Sequence, residues 1–322
     1  MFFETMLIFE ELDQVDLSQE IALTIGGFDG IHVGHQHLIN SMMGRARENH
    51  RLGGLITFEP HPKIVLRPDT PFYYLTPLEE KLSLVSELGL DFVVIMAFTA
   101  ETVHTLAEDF VHSLRQHLRL REVWVGPDFA LGYERQGDIP FLRKMGKQLD
   151  FTVQVVEPIL VEGEIVSSTR IRRLLARGQI EKAARLLGRW PALTGEVVPG
   201  VGTERELGVL TANLLVDSKR AIPASGVYAV QVYLGPEVLD GITDVEGPPP
   251  RRDGGRIVKT HILDFEGDLL GQTLKVEFTR QLRPEMWFSD PEARRAQMEQ
   301  DIRQVRQLLS ERQDFRIDSQ QN

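Results

Sequence analysis

Short apolar runs alternate with stretches of helical periodicity up to about residue 187 of this chain. The runs are IALTI (21–25), GLITF (54–58), DFVVIMAF (91–98), EVWVG (122–126) and FTVQVVEPIL (151–160). The apolar residues that share one helical face between the first two runs are Leu38, Ile39, Met42, Met43 and Ala46. Strand and helix patterns that alternate in this way predict a Rossmann-like α/β domain, with a doubly wound parallel sheet.

Helix starts are predicted from capping signals within this alternation. Thr76 and Glu79 have the spacing of a capping box, and Pro77 suits the first helical position. Thr105 and Glu108 repeat the same spacing. We therefore expect one helix to begin at each pair.

The pattern changes in the second part of the chain. Residues 190–278 hold the strand-like pieces LTGEVV, SGVYAVQVYL, IVKTHILDF and LKVEF, with Gly-rich and Pro-rich turns between them and no helix-length periodic segment. This predicts a small antiparallel β-barrel, which a C-terminal helix over residues 290–311 then follows. The expected domains are 1–188 and 189–322, with the boundary near Gly188 to Pro191.

Composition is that of an ordinary globular protein, with 42% hydrophobic and 26% charged residues over 322 positions. That length suits about two domains. No apolar run approaches the roughly 20 residues that a membrane-spanning helix needs. The first 20 residues carry no Lys or Arg, which argues against a secretory signal. We therefore expect a cytoplasmic protein with no membrane partner.

Charge and cysteine content narrow the chemistry further. The chain has no cysteine, so any metal must be held by oxygen or imidazole ligands. The net charge of −11 argues against broad nucleic-acid binding, which depends on Lys and Arg neutralising phosphates. A local site for one small anion remains compatible with this charge.

The stretch GGFDGIHVGHQ (26–36) directly follows the first apolar run. In an open α/β sheet, ligands bind beyond the carboxyl ends of the strands, and glycines let the backbone approach a ligand closely. A helix is expected to begin near Gly34 or His35, so that its free N–H groups and partial positive charge face the same place. These features predict an anion site.

His32 and His35 are the predicted catalytic groups at this site. A separation of three residues across a loop-to-helix junction lets both imidazoles face one phosphate. They would stabilise negative charge there without removing a proton. The alternative is that both are ordinary surface histidines of a loop.

Four blocks of the chain resemble a known family. The blocks GGFDGIHVGHQ, TFEPHP (57–62), VGPDFALGYERQGD (125–138) and VSSTRIRRLL (166–175) are similar, in order and spacing, to those of the bacterial FAD synthetases. The first block also carries the His-x-Gly-His motif of the nucleotidyltransferase superfamily. The resemblance covers nearly the whole chain and implies a bifunctional riboflavin kinase and FMN adenylyltransferase.

The implied substrates are ATP and FMN, with Mg²⁺ as the metal and riboflavin as the substrate of the second half. FMN phosphate would attack the α-phosphate of ATP and release pyrophosphate. The second pKa of a phosphate monoester is about 6, so the FMN phosphate is already largely anionic near neutral pH. It therefore needs no strong base. Catalysis then consists of alignment and charge stabilisation.

The resemblance also implies further contacts with ATP or FMN. Arg170 would join the two histidines as a catalytic group. The residues expected to bind ATP or FMN are Gly26, Gly27, Phe28, Asp29, Gly34, Glu59, His61, Asp128, Phe129, Ser167, Ser168 and Thr169. Simpler roles remain open for several of them. Asp29 is expected to order the loop rather than bind Mg²⁺, Phe129 could anchor its loop, and the S-S-T-R sequence is also a common helix cap.

Two departures from the family pattern occur in the first half. The family usually has Asn at the position of Gly27 and an aromatic residue at that of Leu131. Gly27 removes a side-chain donor near the phosphates. We expect weaker contacts there and retained chemistry.

The second half departs further from the kinase pattern. LGVLTANL (207–214) keeps Thr211 and Asn213, which the family uses for Mg²⁺ and ATP, but has lost the preceding Phe-Pro pair. The family's glutamate, which takes the proton from riboflavin, is replaced by Lys259. A protonated lysine cannot accept that proton, and a general base contributes about 10²-fold to 10⁴-fold. VEGPPPRRDGG occupies the place of an asparagine-containing block, although a shifted register could bring in Glu246 or Glu266.

These observations favour an FMN adenylyltransferase whose kinase-like barrel is weak or inactive. One alternative is the fully bifunctional enzyme that takes riboflavin through FMN to FAD. A further alternative, from another class, is a non-enzymatic flavin-binding regulatory protein. The expected partners are nucleotides and flavins, with no nucleic acid and no prediction of the oligomeric state.

Overall fold

A computed structural model describes residues 6–199, 210–247 and 255–310. The chain forms two compact units, of which the first ends at Val166 and the second begins at Ser167. Within the described ranges, no helix combines the length and the apolar character needed to cross a bilayer.

The first unit contains a parallel six-stranded sheet with helices on both faces. Its sheet strands are β1 (Leu7–Phe9), β2 (Ile21–Ile25), β3 (Leu52–Glu59), β4 (Phe92–Ala97), β5 (Leu120–Val125) and β8 (Thr152–Val155), in the order β1-β4-β3-β2-β5-β8. Its helices are α1 (Val33–Glu48), α2 (Pro62–Leu66), α3 (Leu78–Glu87), α4 (Ala107–His117) and α5 (Ile139–Leu149). Two short hairpins complete the unit: β6 (Ala130–Leu131) with β7 (Gly137–Asp138), and β9 (Leu160–Val161) with β10 (Glu164–Ile165).

Strand β2 lies inside the sheet, and all five of its residues are buried. Ile21 and Leu23 pack into the core cluster that includes buried residues of α4 and α5. Ala22 packs on the opposite face, in the cluster that includes residues of α1 and α3. A strand covered on both faces accounts for the continuous apolar run IALTI. It also fixes the direction in which the chain enters the loop that follows.

The sheet confirms the predicted α/β class and adds two details. β1 is an additional edge strand, in which Leu7 and Ile8 are substantially exposed. The run FTVQVVEPIL is not one strand, because β8 ends at Val155 and β9 begins only after Pro158. The two predicted capping boxes do not form, since neither α3 nor α4 has a side-chain cap. Thr76 instead accepts a hydrogen bond from Gly30 N (3.0 Å).

The second unit is a closed antiparallel barrel with helices beside it. Its strands are β11 (Ala192–Val198), β12 (Leu210–Asp217), β13 (Gly226–Leu234), β14 (Glu237–Val245), β15 (Gly255–Ile262) and β16 (Thr273–Arg283). Its helices are α6 (Ser168–Leu175), α7 (Ile180–Leu187) and α8 (Pro291–Ser310). The barrel order is β11-β12-β15-β14-β13-β16.

Helices α6 and α7 pack against the barrel. Leu175 O accepts from Ala224 N (2.9 Å), and Glu181 pairs with Arg280 (2.6 Å). These contacts explain why the compact units divide before α6, whereas a functional boundary near Gly188 stays a prediction. The barrel and α8 are confirmed, and the predicted helix end at Glu311 lies outside the described residues.

Candidate active site

The loop after β2 turns sharply and is held from behind. Phe28, Gly30 and Ile31 have positive φ angles of 45°, 94° and 38°. Such angles are costly for an isoleucine and persist only where the surroundings fix them. The buried Asp29 carboxylate provides this, because it accepts from Leu75 N (2.9 Å) and Thr76 N (3.1 Å). Asp29 thus contributes to loop order, as expected.

His32 and His35 stand together where this loop enters α1. His32 is the N-cap, and its Nδ1 accepts from His35 N (3.3 Å). The two rings are stacked, with centroids 3.6 Å apart and an interplanar angle of 17°. When His32 is neutral, this contact leaves its proton on Nε2. The pair therefore combines imidazole donors with the positive end of a helix, an arrangement suited to an anion.

Gly34 and Phe28 shape the space around the two rings. A Cβ added at Gly34 would lie 3.3 Å from the His32 ring. Phe28 is buried, and its ring centroid lies 4.8 Å from that of His35. The loop residues predicted from the sequence therefore surround the histidine pair.

His61 approaches the same loop from the end of β3. It is the N-cap of α2, its Nδ1 accepts from Lys63 N (3.2 Å), and it stacks on Phe72 at 4.4 Å. A Cβ added at Gly27 would lie only 2.6 Å from His61 Nε2. The imidazole thus occupies the space that a side chain at position 27 would require.

Glu59 and Tyr74 form a polar contact beside His61. Tyr74 Oη donates to Glu59 Oε1 (3.0 Å) and accepts from His61 N (2.9 Å). The pKa of Tyr74 is raised to about 12, chiefly by burial and also by the neighbouring Glu59. The phenol is therefore a neutral donor that orients Glu59 and the turn carrying His61.

Lys81 was not predicted from the sequence, yet it lies directly behind the loop. It is 1% exposed, and its Nζ donates to Gly27 O (2.9 Å) and to Thr57 Oγ1 (3.1 Å). Burial lowers the pKa of Lys81, while Asp29 and Glu59 raise it. One feature of the sequence indicates that Lys81 is buried. It precedes Val85 by four residues, so both side chains lie on the apolar face of α3.

The third block contributes less to the described geometry. Phe129 is half-buried and packs against the core cluster beneath α4 and α5, as an anchor for its loop would. Asp128 is exposed, and its backbone carbonyl accepts from Arg135 (2.7 Å). Leu131 packs against the same cluster. Leucine in place of the family's aromatic residue therefore keeps an apolar contact. Nucleotide binding by Asp128 and Phe129 stays a prediction.

The S-S-T-R residues belong to the second unit. Ser167 is the N-cap of α6, and its Oγ accepts from Arg170 N (3.3 Å). The predicted cap is therefore present at the start of α6. Phosphate binding by Ser167, Ser168, Thr169 and Arg170 stays a prediction.

A second polar group lies on three adjacent barrel strands. Thr211 Oγ1 and His261 Nδ1 are 2.8 Å apart, between β12 and β15. The pKa of His261 is lowered to about 4, chiefly by burial and also by the nearby cations Arg294 and Lys259. Lys259 forms an ion pair with Glu246, which follows β14. Asn213 lies opposite Lys259 in the ladder and is 2% exposed.

Comparison with known sequences identifies both halves. A family model described as FAD synthetase matches residues 15–170, and one described as riboflavin kinase matches residues 187–309. The bifunctional riboflavin kinase/FMN adenylyltransferase of Pseudomonas fluorescens is 34% identical over 89% of this chain and 92% of that protein. The protein of the same name from Listeria monocytogenes is 31% identical, over 93% and 95% of the two chains.

The fold also matches a solved structure along its length. A crystal structure titled macrolide-efflux protein, from Streptococcus pneumoniae, superposes with a TM-score of 0.85 at 26% identity. The match covers 94% of this chain and 98% of that one. Both units and their order along the chain are thus shared with that structure.

Proposed function

This chain belongs to the family of bifunctional riboflavin kinase/FMN adenylyltransferases, and on that premise we propose that it makes FAD from riboflavin in two steps. Family membership makes it an FMN adenylyltransferase and disfavours the non-enzymatic hypothesis. Our proposal adds that the barrel first phosphorylates riboflavin and that the first unit then adenylylates FMN. The stacked pair of His32 and His35 at the start of α1 is the observation that carries it.

In the adenylyl transfer, an oxygen of the FMN phosphate attacks the α-phosphorus of ATP. The bond from that phosphorus to the bridging oxygen of the β-phosphate breaks, and pyrophosphate leaves with the bonding electrons. His32, His35 and the N–H groups of the first turn of α1 stabilise the charge that develops on the α-phosphate. Lys81 holds the Gly27 carbonyl and adds a buried positive charge behind it. No residue needs to remove a proton.

Mg²⁺ would neutralise the triphosphate in both reactions. Among the described residues, no three His, Asp or Glu side chains come together as a preformed metal site. This agrees with the usual chemistry of Mg²⁺, which takes few protein oxygens and several from phosphates and water. In the barrel, Thr211 and Asn213 offer the hydroxyl and amide oxygens that would hold it.

Riboflavin phosphorylation by the barrel is supported by the residues that surround Thr211. His261 fixes the Thr211 hydroxyl, and its lowered pKa keeps the imidazole neutral at physiological pH. A neutral ring can hold the hydroxyl without repelling a metal ion. Cross-strand neighbours on three strands would therefore bind ATP and the alcohol together.

The proposal is tested by offering riboflavin and FMN separately with Mg-ATP and separating the flavin products by chromatography. We expect FMN and then FAD from riboflavin, and FAD directly from FMN. A protein that forms FAD from FMN but no FMN from riboflavin would refute the kinase half alone. Failure with both flavins would refute the whole proposal.

A second candidate is an adenylyltransferase with a weak or inactive barrel. It is favoured by Lys259, which carries a cation where the family has its proton-accepting carboxylate. In that case, steady phosphorylation of riboflavin would be slower than adenylylation of FMN by about 10²-fold or more, the typical contribution of a general base. The same product analysis separates the two candidates.

A further inference from the structure

A row of polar residues crosses three strands on one face of the barrel. Asn213 of β12 lies opposite Lys259 of β15, which in turn lies opposite Asp244 of β14. Residues directly opposite in a ladder point to the same face. Thr211 and His261 form the neighbouring row, two residues along each strand. All five side chains therefore belong to one surface.

C-terminal helix α8 borders this surface. Ile242, opposite His261 in the ladder, packs with Val305 and Leu309 of α8. The row is thus on the outside of the barrel, and its polar end lies beyond the apolar contact with α8. A ligand can reach it without entering the barrel core.

Buried polar atoms in the row have no partner among the described residues. Asn213 Nδ2 and Asp244 Oδ1 are both buried and make no hydrogen bond there. An unsatisfied buried polar group costs about 1–3 kcal/mol, and such groups call for a specific explanation. A bound ligand that supplies the missing contacts accounts for both atoms at once.

Glu246 adds a carboxylate next to this row. Glu246 follows the end of β14, two residues beyond Asp244, and its carboxylate pairs with the Lys259 ammonium. The two side chains are 47% and 37% exposed, so the pair faces the surface rather than the core. The register places Glu246 one row beyond Asn213 and Asp244, on the side away from Thr211, and its pair with Lys259 brings a carboxylate to the edge of this surface.

We infer that Glu246 is the catalytic base of riboflavin phosphorylation and that Lys259 is the positioning residue that holds its carboxylate. This inference rests on the proposed function. The 5′-oxygen of riboflavin attacks the γ-phosphorus of ATP, and the bond to the β-phosphate oxygen breaks. ADP leaves with the bonding electrons, and the proton of the hydroxyl passes to Glu246 and then to water.

Glu246 suits this role better than its neighbours do. The Lys259 ammonium has no lone pair to accept a proton. Asp244 is half-buried whereas Glu246 is exposed, so that an alcohol arriving from solvent meets Glu246 first. The carboxylate thus lies on the chain that follows β14, one row away from position 259 of β15.

Three variants of the full chain test the inference with riboflavin and Mg-ATP. Glu246→Gln keeps the size of the side chain and should lower FMN formation about 100-fold, within the range of a general base. Lys259→Glu removes the cation that positions Glu246 but adds a carboxylate on β15, so it should lower FMN formation less than Glu246→Gln does, by about tenfold or less. The double variant Glu246→Gln/Lys259→Glu returns a carboxylate to β15 and should regain most of the lost rate. Glu237→Gln, exposed at the other end of β14, is the matched control.

The outcomes separate this inference from the proposed function. FMN adenylylation by each preparation reports whether the protein is folded. If the unsubstituted protein phosphorylates riboflavin and Glu246→Gln does so equally well, the inference is overturned and the bifunctional assignment stands. If the unsubstituted protein forms no FMN from riboflavin and Lys259→Glu gains this activity, the inference and the bifunctional assignment both fail. The weak-kinase candidate is then correct. Rescue by the double variant identifies a base, because a merely structural glutamate would not be replaced from another strand.

Discussion

The two units build their polar sites in different ways. In the first unit, the loop, both histidines and the start of the helix come from one stretch of sequence, residues 26–36. In the barrel, the polar row takes one residue from each of three strands, and Asn213, Lys259 and Asp244 meet only through the ladder register. A contiguous motif carries its functional groups on one segment, whereas a cross-strand site can take a group of the same kind from a neighbouring strand.

This difference changes how a substitution is interpreted. Loss of His35 would remove one of two stacked rings that are both placed by the first turn of one helix. Lys259 looks like a loss when the sequence is considered strand by strand. The ion pair with Glu246 suggests an exchange instead.

The largest expected effect comes from removing either imidazole. His35→Ala, and His32→Asn, which preserves a capping side chain, should each lower FMN adenylylation about 10²-fold to 10³-fold, the usual cost of losing one charge-stabilising donor. Riboflavin phosphorylation should be unchanged. His37→Ala, on the exposed side of the same helix, is the control. Equal losses in both reactions would contradict the division of labour between the units.

Lys81→Met should separate activity from stability. Met fills the same space and removes the cost of burying a charge, which offsets the loss of two hydrogen bonds, so the melting temperature should change little. FAD formation should fall about tenfold, because Gly27 O and Thr57 Oγ1 lose a charged donor worth about 1.5–3 kcal/mol. Exposed Lys144→Met is the matched control.

The contribution of Lys81 to FAD formation should also depend on pH. Because burial lowers the pKa of Lys81, this contribution should disappear at a lower pH than that of an ordinary lysine as the pH rises. Unchanged turnover at all pH values would show that the contact is only structural.

Gly27→Ala tests whether His61 needs the space above the loop. The new Cβ would meet His61 Nε2 at 2.6 Å and displace the ring. We expect FAD formation to drop severalfold, with a coupling of about 1 kcal/mol between the two positions in a double-mutant cycle with His61→Ala. Additive effects of the two substitutions would mean that ring and loop act independently.

The remaining prediction concerns the pH dependence of barrel stability. Burial lowers the folded-state pKa of His261 to about 4 from an ordinary value of 6.5, so the folded barrel favours the neutral ring. Stability should be complete above pH 6.5 and decline as the pH falls towards 4, by about 3 kcal/mol at most. His261→Gln should flatten this part of a thermal-unfolding profile. The control substitution His37→Gln, at an exposed position, should not flatten the profile. Identical profiles for the unsubstituted protein and both variants would contradict a role for His261 in this pH dependence.

The sequence predicted what lies in contiguous stretches. Periodicity located the central strands, and the residues after β2 located the histidine pair. Thr76 and Lys81 were missed as supports of the loop because they contact it across 46 and 54 residues of chain. The capping-box spacing even suggested a different role for Thr76. No local pattern distinguishes a threonine that caps its own helix from one that holds a distant loop.

The barrel was predicted as a class but not in its register. Strands β12 and β14 were not identified, since LTANLLVD and EVLDGITDV contain polar and glycine residues within the strand. Without the register, Lys259 could not be placed opposite Asp244 or beside Glu246. The prediction of a weak kinase depended on Lys259, on the lost Phe-Pro pair and on the missing asparagine-containing block, and none of these gives the register.

The most direct test follows the flavins over time after riboflavin and Mg-ATP are mixed with the His32→Asn/His35→Ala variant. The account predicts that FMN forms at the rate of the unsubstituted protein and accumulates, while FAD formation is nearly abolished. FAD that appears at the unsubstituted rate would contradict the central claim that these two imidazoles carry the adenylyl transfer.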